Sequence, residues 1–151
     1  MDTFIKQYEA FLSDFGEGRT MVLSTSENDV VSSRMMSVVQ LNGIFYFQTD
    51  VMLKKYRQLS VNPNAALCID NIQLEGVCEN LGHTLENEEF CSIFKKCFKG
   101  SYEAYTALKN ERLFAFKPRY IERWVYRQGI PYIESFDIEA KAYHIERYSG
   151  E

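Results

Sequence analysis

Arg34, the pair Thr49-Asp50 and the consecutive lysines Lys54 and Lys55 are the side chains of this sequence best suited to chemistry. A guanidinium, a hydroxyl and one or two ammonium groups that converge supply the charge-assisted donors a phosphate dianion needs. The intervening residues predict that convergence. Arg34 opens an apolar run from Met35 to Leu41, and Asn42-Gly43 is a hairpin signal because both residues tolerate positive φ. The aromatic strand Ile44 to Thr49 follows, so pairing across the turn places Arg34 near Thr49 at one end of a sheet. Met52 to Leu59 has helical character and ends before Asn62-Pro63, which puts Lys54 and Lys55 in its first turn. Free N–H groups there also favour an anion. Successive helix positions point about 100° apart, so one lysine can reach a phosphate while the other faces water.

The rest of the chain must hold this segment in place. Phe4, Tyr8, Phe11, Leu12 and Phe15 recur at helical spacing and stop at Gly16, which predicts an amphipathic opening helix. Thr20 to Thr25 reads as a strand, Glu27-Asn28-Asp29 as a turn, and Val30 to Leu41 as the next strand. Ala65 to Asp70 and Ile72 to Asn80 read as a hairpin around Asn71. Thr84 is the expected N-cap of a helix in which Glu86, Glu88 and Glu89 complement the dipole, and Phe90, Ile93, Phe94 and Cys97 form an apolar stripe. Ser101 to Asn110 reads as a second short helix. Arg112 to Lys117 and Tyr120 to Arg127 read as two closing strands separated by Pro118, with a turn at Gly129-Ile130-Pro131 and an edge strand within Phe136 to Arg147.

Several of these segments, in order, resemble the pyridoxamine 5′-phosphate oxidase family. The family's Arg-Met-apolar run reads here as Arg34-Met35-Met36-Ser37-Val38-Val39, and its aromatic strand ending in Thr-Asn reads as Phe47-Gln48-Thr49-Asp50. Its basic pair falls at Lys54-Lys55, its Leu-x-x-Asn-Pro at Leu59 to Pro63, and its Ile-Glu-x-Trp at Ile121 to Trp124. The resemblance spans roughly residues 19 to 126, and its specificity lies in order and spacing. It implies a mainly β, Greek-key-like antiparallel split β-barrel with flanking helices that binds FMN, in one domain covering residues 1 to 151. It also implies a homodimer with the cofactor at the interface. The phosphate ligands carried over are Arg34, Thr49, Lys54 and Lys55, with Lys55 in the family's lysine position. Met35, Met36 and Ser37 would contact the flavin or ribityl chain through backbone groups, and Phe47 and Gln48 lie on the strand leading to Thr49. Asn71 stands where the family often has a ring-contacting Gln, and Trp124 stands at the cofactor-proximal tryptophan. Each has an ordinary alternative: strand core for the methionines, a turn residue for Asn71, a buried core residue for Trp124.

Two departures limit what is carried over. Val39 replaces the lysine that closes the family's run, and Ile130 to Glu134 occupy the place of a C-terminal Arg-Leu-His-Asp-Arg element. Without those cations a second phosphate, on the substrate, has little to hold it. The resemblance therefore points to an FMN-dependent oxidoreductase acting on another small molecule, with NADH or NADPH as a candidate electron source. A flavin- or haem-binding protein without turnover is the alternative, and a deazaflavin-dependent reductase a minor one. Haem suits the sequence less, since neither His83 nor His144 has partners at ligand spacing.

Composition agrees with a protein of this kind. A chain of 151 residues suits one core, and 46% hydrophobic and 15% aromatic content suits a β-rich one. A net charge of −4 argues against general nucleic-acid binding, and no apolar stretch is long enough to span a bilayer. The four cysteines lack C-x-x-C spacing and no secretory segment precedes the fold, so reduced thiols in the cytoplasm are expected. Gly16-Glu17-Gly18 lacks the strand and third glycine of a dinucleotide fingerprint.

Overall fold

A computed structural model describes residues 2–151. Helix α1 (Thr3–Phe15) is capped by Asp2, whose carboxylate accepts the Phe4 N–H at 2.8 Å, and it ends at Gly16 with φ 88°. Strands β1 (Gly18–Glu27), β2 (Val30–Leu41) and β3 (Ile44–Asp50) follow, then helix α2 (Lys54–Val61). Strands β4 (Asn64–Ile69) and β5 (Ile72–His83) lead to helix α3 (Glu88–Cys97), and β6 (Glu111–Arg127), β7 (Ile130–Asp137) and β8 (Ala142–Arg147) complete the chain.

The strand order β3-β2-β1-β4-β5-β6-β7-β8 contains the Greek-key order in which a fourth strand returns beside the first. An additional β3–β6 pairing closes the first six strands into a barrel, so the expected split-barrel architecture is the observed one. Strands β7 and β8 extend from the far half of β6. Alternating residues of β1, β2 and β3 fill the interior with Met21, Leu23, Val38, Phe45 and Phe47, none of them exposed. Helix α1 closes the core by inserting Phe11 and Phe15; the Phe15 ring meets Phe45 edge-on at 5.1 Å.

The two closing strands expected around Pro118 are one strand of 17 residues. Proline is tolerated because it sits at an irregularity: the β5–β6 register shifts between Glu75 and Gly76, and Gly76 faces Pro118. A Cβ on Gly76 would fall on the Lys117 carbonyl oxygen and 2.7 Å from the Phe116 ring. Gly76→Ala is therefore expected to cost about 1–3 kcal/mol, the scale of overpacking a core, measured as a lowered urea midpoint at unchanged slope.

Other boundaries move for local reasons. Gln128 and Gly129, with φ 53° and 79°, make the turn expected at 129–131, so Ile130-Pro131 already belong to β7, and the tail is a hairpin and not a lone strand. Thr84 opens a short 3₁₀ turn, while the cap of α3 is Asn87, whose side chain accepts the Phe90 N–H at 2.8 Å. The helix expected over 101–110 is a shorter run of turns, Lys99–Ser101 followed by a π-type turn, Tyr102–Thr106. Among the described residues no helix is long and apolar enough to cross a membrane.

Candidate functional site

The β2–β3 ladder has only three pairs, Val39 with Tyr46, Gln40 with Phe45 and Leu41 with Ile44. Beyond them β2 stays with β1, where Arg34 faces Leu23, and β3 turns to β6, where Asp50 faces Glu111. The parting of the two strands opens a cleft of about 490 Å³. Met35, Met36 and Ser37 line it from β2, Gln48, Thr49 and Asp50 from β3, Lys55 from α2 and Glu111 from β6. Phe94, Ser101, Tyr105 and Leu108 cover it from the segment between β5 and β6. That segment is fastened to the barrel: Thr106 Oγ1 donates to Gln48 Oε1 at 2.8 Å, and the His83 ring bonds the Leu108 carbonyl at 2.8 Å.

Tight hairpin pairing does not itself bring Arg34 to Thr49, because the strands separate first. Arg34 is instead positioned by β1 and α2. Its Nη1 donates to Thr25 Oγ1 at 2.8 Å and to the Leu23 carbonyl at 3.3 Å, and its Nη2 donates to Gln58 Oε1 at 3.3 Å. Thr25 and Gln58 are each 1% exposed and bond one another, so the guanidinium rests on a fixed neutral cradle. No carboxylate pairs with it among the described residues. The neighbouring Lys55 ammonium is half-buried and makes no ion pair either. Burial pushes its pKa down, Arg34 adds to the effect, and Glu111 and Asp50 oppose it. Burial likewise lowers Arg34. Two partly desolvated cations, neither of them in an ion pair, form a site that gains by receiving an anion. The α2 N-terminus adds its first N–H groups, since the cap residue Leu53 offers no side-chain partner.

Seven of the residues singled out from sequence line the cleft: Met35, Met36, Ser37, Gln48, Thr49, Asp50 and Lys55. Arg34 is not one of the lining residues but precedes Met35 on β2, and its charge helps to lower the Lys55 pKa. Lys54 points to solvent. Phe47 is wholly buried and stacks on Phe114 at 5.6 Å, so it shapes the wall from within the core. Asn71 and Trp124 lie together elsewhere: Asn71 Nδ2 donates to the Trp124 carbonyl at 2.5 Å, and the Trp124 ring meets Tyr148 edge-on at 5.0 Å. Neither lines the cleft of its own chain. Val39 is fully buried against Phe90, Phe94 and Leu113, which leaves no room for a lysine ammonium at that position.

Nothing in the local sequence marks Glu111 or Tyr105 as a cleft residue. Glu111 begins an apolar strand and is 5% exposed, but only the β3–β6 closure turns it toward the cleft. Burial pushes its carboxyl pKa up and Asp50 adds to this, against Lys55 and His83. Neither histidine lines the cleft.

The closed barrel, its divergent strands and the cation-bearing cleft define a split-barrel protein built around a cofactor-sized opening. The sequence pattern of the pyridoxamine 5′-phosphate oxidase family matches residues 4–125, and the chain belongs to that family. Solved structures share the fold at low identity. General stress protein 26 from Bacillus anthracis is 23% identical, with TM-score 0.58 over 79% of this chain and 92% of its own. A pyridoxamine 5′-phosphate oxidase-related, FMN-binding protein from Nostoc punctiforme is 12% identical, with TM-score 0.62 over 97% and 93%. PhzG from Burkholderia lata, solved with tetrahydrophenazine-1-carboxylic acid, is 13% identical, with TM-score 0.64 over 97% and 90%. No curated protein is a detectable sequence relative of the chain.

Proposed function

We propose that the chain binds FMN in this cleft and serves as an FMN-dependent oxidoreductase on a small organic molecule. The observation that carries the reading is the pair of partly buried cations Arg34 and Lys55, neither in an ion pair, with Lys55 lining an opening of about 490 Å³. That volume falls within the range of small-molecule sites, about 300–1,000 Å³. The donors fit the group: Arg34, Lys55, the Thr49 hydroxyl and the α2 N-terminus suit its phosphate. The hydroxyl of Ser37, the amide of Gln48 and the backbone of Met35–Ser37 suit its polyol and ring. Lys54 is kept as a solvent-side cation and not a direct ligand.

When bound, the flavin supplies the redox chemistry, and the chain supplies orientation, electrostatics and exclusion of water. Tyr105 and Leu108 on the covering segment leave an apolar entrance suited to an uncharged or aromatic substrate face. Asn71 and Trp124 reach a cofactor only from a second copy of the chain, so the reading includes a homodimer with the flavin between subunits. Val39, buried where a phosphate-binding lysine would stand, supports a substrate other than a phosphorylated pyridoxamine.

The test is an absorbance and fluorescence titration of purified protein with FMN, followed by anaerobic addition of NADH or NADPH. A saturable shift of the flavin band with quenched fluorescence, then bleaching on reduction, is the expected result. Absence of any saturable binding ends the proposal, and binding without reduction by any donor favours a non-catalytic flavin protein.

A further inference from the structure

The site has an acidic side that phosphate binding does not use. Asp50 and Glu111 face one another in the β3–β6 register, and both line the cleft with Lys55. Their situations differ. Asp50 Oδ1 already accepts the Met52 N–H at 2.7 Å in the turn before α2. The Glu111 carboxylate accepts no hydrogen bond and makes no ion pair among the described residues, although the residue is only 5% exposed. Of its neighbours, His83 bonds the Leu108 carbonyl and Arg112 the carbonyls of Lys109 and Glu111, while the Lys55 ammonium, which lines the same cleft, makes no hydrogen bond or ion pair with it. Its carboxylate is not sealed in the core, since no buried side-chain oxygen or nitrogen lacks a partner; its free acceptor capacity therefore opens to the cleft.

A largely buried carboxylate that no protein group donates to depends on water from the cleft, and a ligand that displaces that water must bring a donor in its place. A bare phosphate would satisfy Arg34 and Lys55 but bring only further negative charge toward Glu111. A phosphate ester with hydroxyl or N–H groups next to the phosphate satisfies both sides. We propose that Glu111 is a ligand-contacting residue that selects phosphate esters carrying a hydrogen-bond donor beside the phosphate, and accepts that donor. The inference rests on the phosphate reading of Arg34 and Lys55; the FMN ribityl hydroxyls are one such donor set.

The experiment compares ribose 5-phosphate with methyl phosphate, which share a phosphate but differ in donors, by NMR titration of the wild type, Glu111→Ala and Glu111→Gln, with FMN titrated in parallel. The wild type is expected to prefer ribose 5-phosphate at least tenfold, Glu111→Ala to lose most of that preference with methyl phosphate binding undiminished, and Glu111→Gln, which keeps an acceptor oxygen, to retain part of it. Equal affinity for the two esters in the wild type, or an unchanged preference in Glu111→Ala, overturns the proposal. So does a gain in affinity for both esters in both variants, which would make Glu111 a repulsive group only. If wild type ignores FMN but keeps the ester preference, the FMN reading fails and the Glu111 assignment stands; if FMN binds without any ester preference, the reverse holds.

Discussion

Arg34→Ala is expected to weaken FMN binding by roughly 1–3 kcal/mol, the scale of losing a hydrogen bond to a charged group, read as a 5- to 150-fold rise in Kd by fluorescence titration. Lys55→Ala is expected to fall in the same range, and Lys54→Ala, at a solvent-facing position, to change affinity little. Arg34→Lys tests geometry: it keeps the charge but cannot reproduce the planar fork that rests on Thr25 and Gln58. The double variant should lose less than the sum, because both cations act on one anion and each lowers the cost of desolvating the other's partner. Unfolding midpoints should stay close to wild type, since removing one of two like charges relieves repulsion in the free protein. Unchanged FMN affinity in both single variants would remove the phosphate assignment while leaving the fold untouched.

The largest stability effect is expected at the opposite end of the barrel. Arg123 on β6 donates to Glu134 on β7 and, at 3.1 Å, to Asp14 at the end of α1, and its guanidinium lies over the Phe11 ring. Glu134 is 3% exposed and also accepts the Tyr143 hydroxyl of β8 at 2.7 Å. Two ion pairs sharing Arg123, with the Tyr143 hydrogen bond, thus tie α1, β6, β7 and β8. Arg123→Leu leaves the carboxylate buried without its cation, at a cost of about 3–5 kcal/mol, seen as a melting temperature lower by roughly 10–15 °C for a domain of this size. Arg123→Leu combined with Glu134→Leu should recover most of that loss, because the desolvation penalty goes with the second charge. The exposed pair Lys117–Glu79, both half in water, offers the contrast: removing it should cost no more than about 1 kcal/mol. A Glu134 network worth as little as that exposed pair would refute the account.

Local sequence carried the architecture well because its strands alternate and its turns use residues that accept positive φ: Asn28 and Asp29, Asn42 and Gly43, Asp70, and Gln128 with Gly129. It failed where a residue's meaning depends on a distant partner. Pro118 reads as a strand breaker until Gly76 supplies the irregularity opposite it. The cleft shows the same division. Ser37, Thr49 and Lys55 were legible because an ordered motif carries them, and the strand-to-helix connection places them within a short span of chain. Glu111 was not, because only the β3–β6 pairing, between segments some sixty residues apart, turns it toward the cleft. Thr25 and Gln58 were also silent, two unremarkable polar residues until folding sets them under Arg34.

That same β3–β6 pairing has a consequence for how the molecule assembles. Phe45 meets Phe116 and Asp50 meets Glu111 across the whole intervening stretch, which includes β4, β5 and α3. Loop-closure entropy must be met before those hydrogen bonds form, which puts the chain among slow folders, in the millisecond-to-second range. Amide exchange should record the seam from the other direction, with the central β3 and β6 amides opening only on global unfolding and the β8 amides, at the free edge, exchanging first. The cleft is thus walled by contacts between segments far apart in the chain, and it exists only where the barrel is shut.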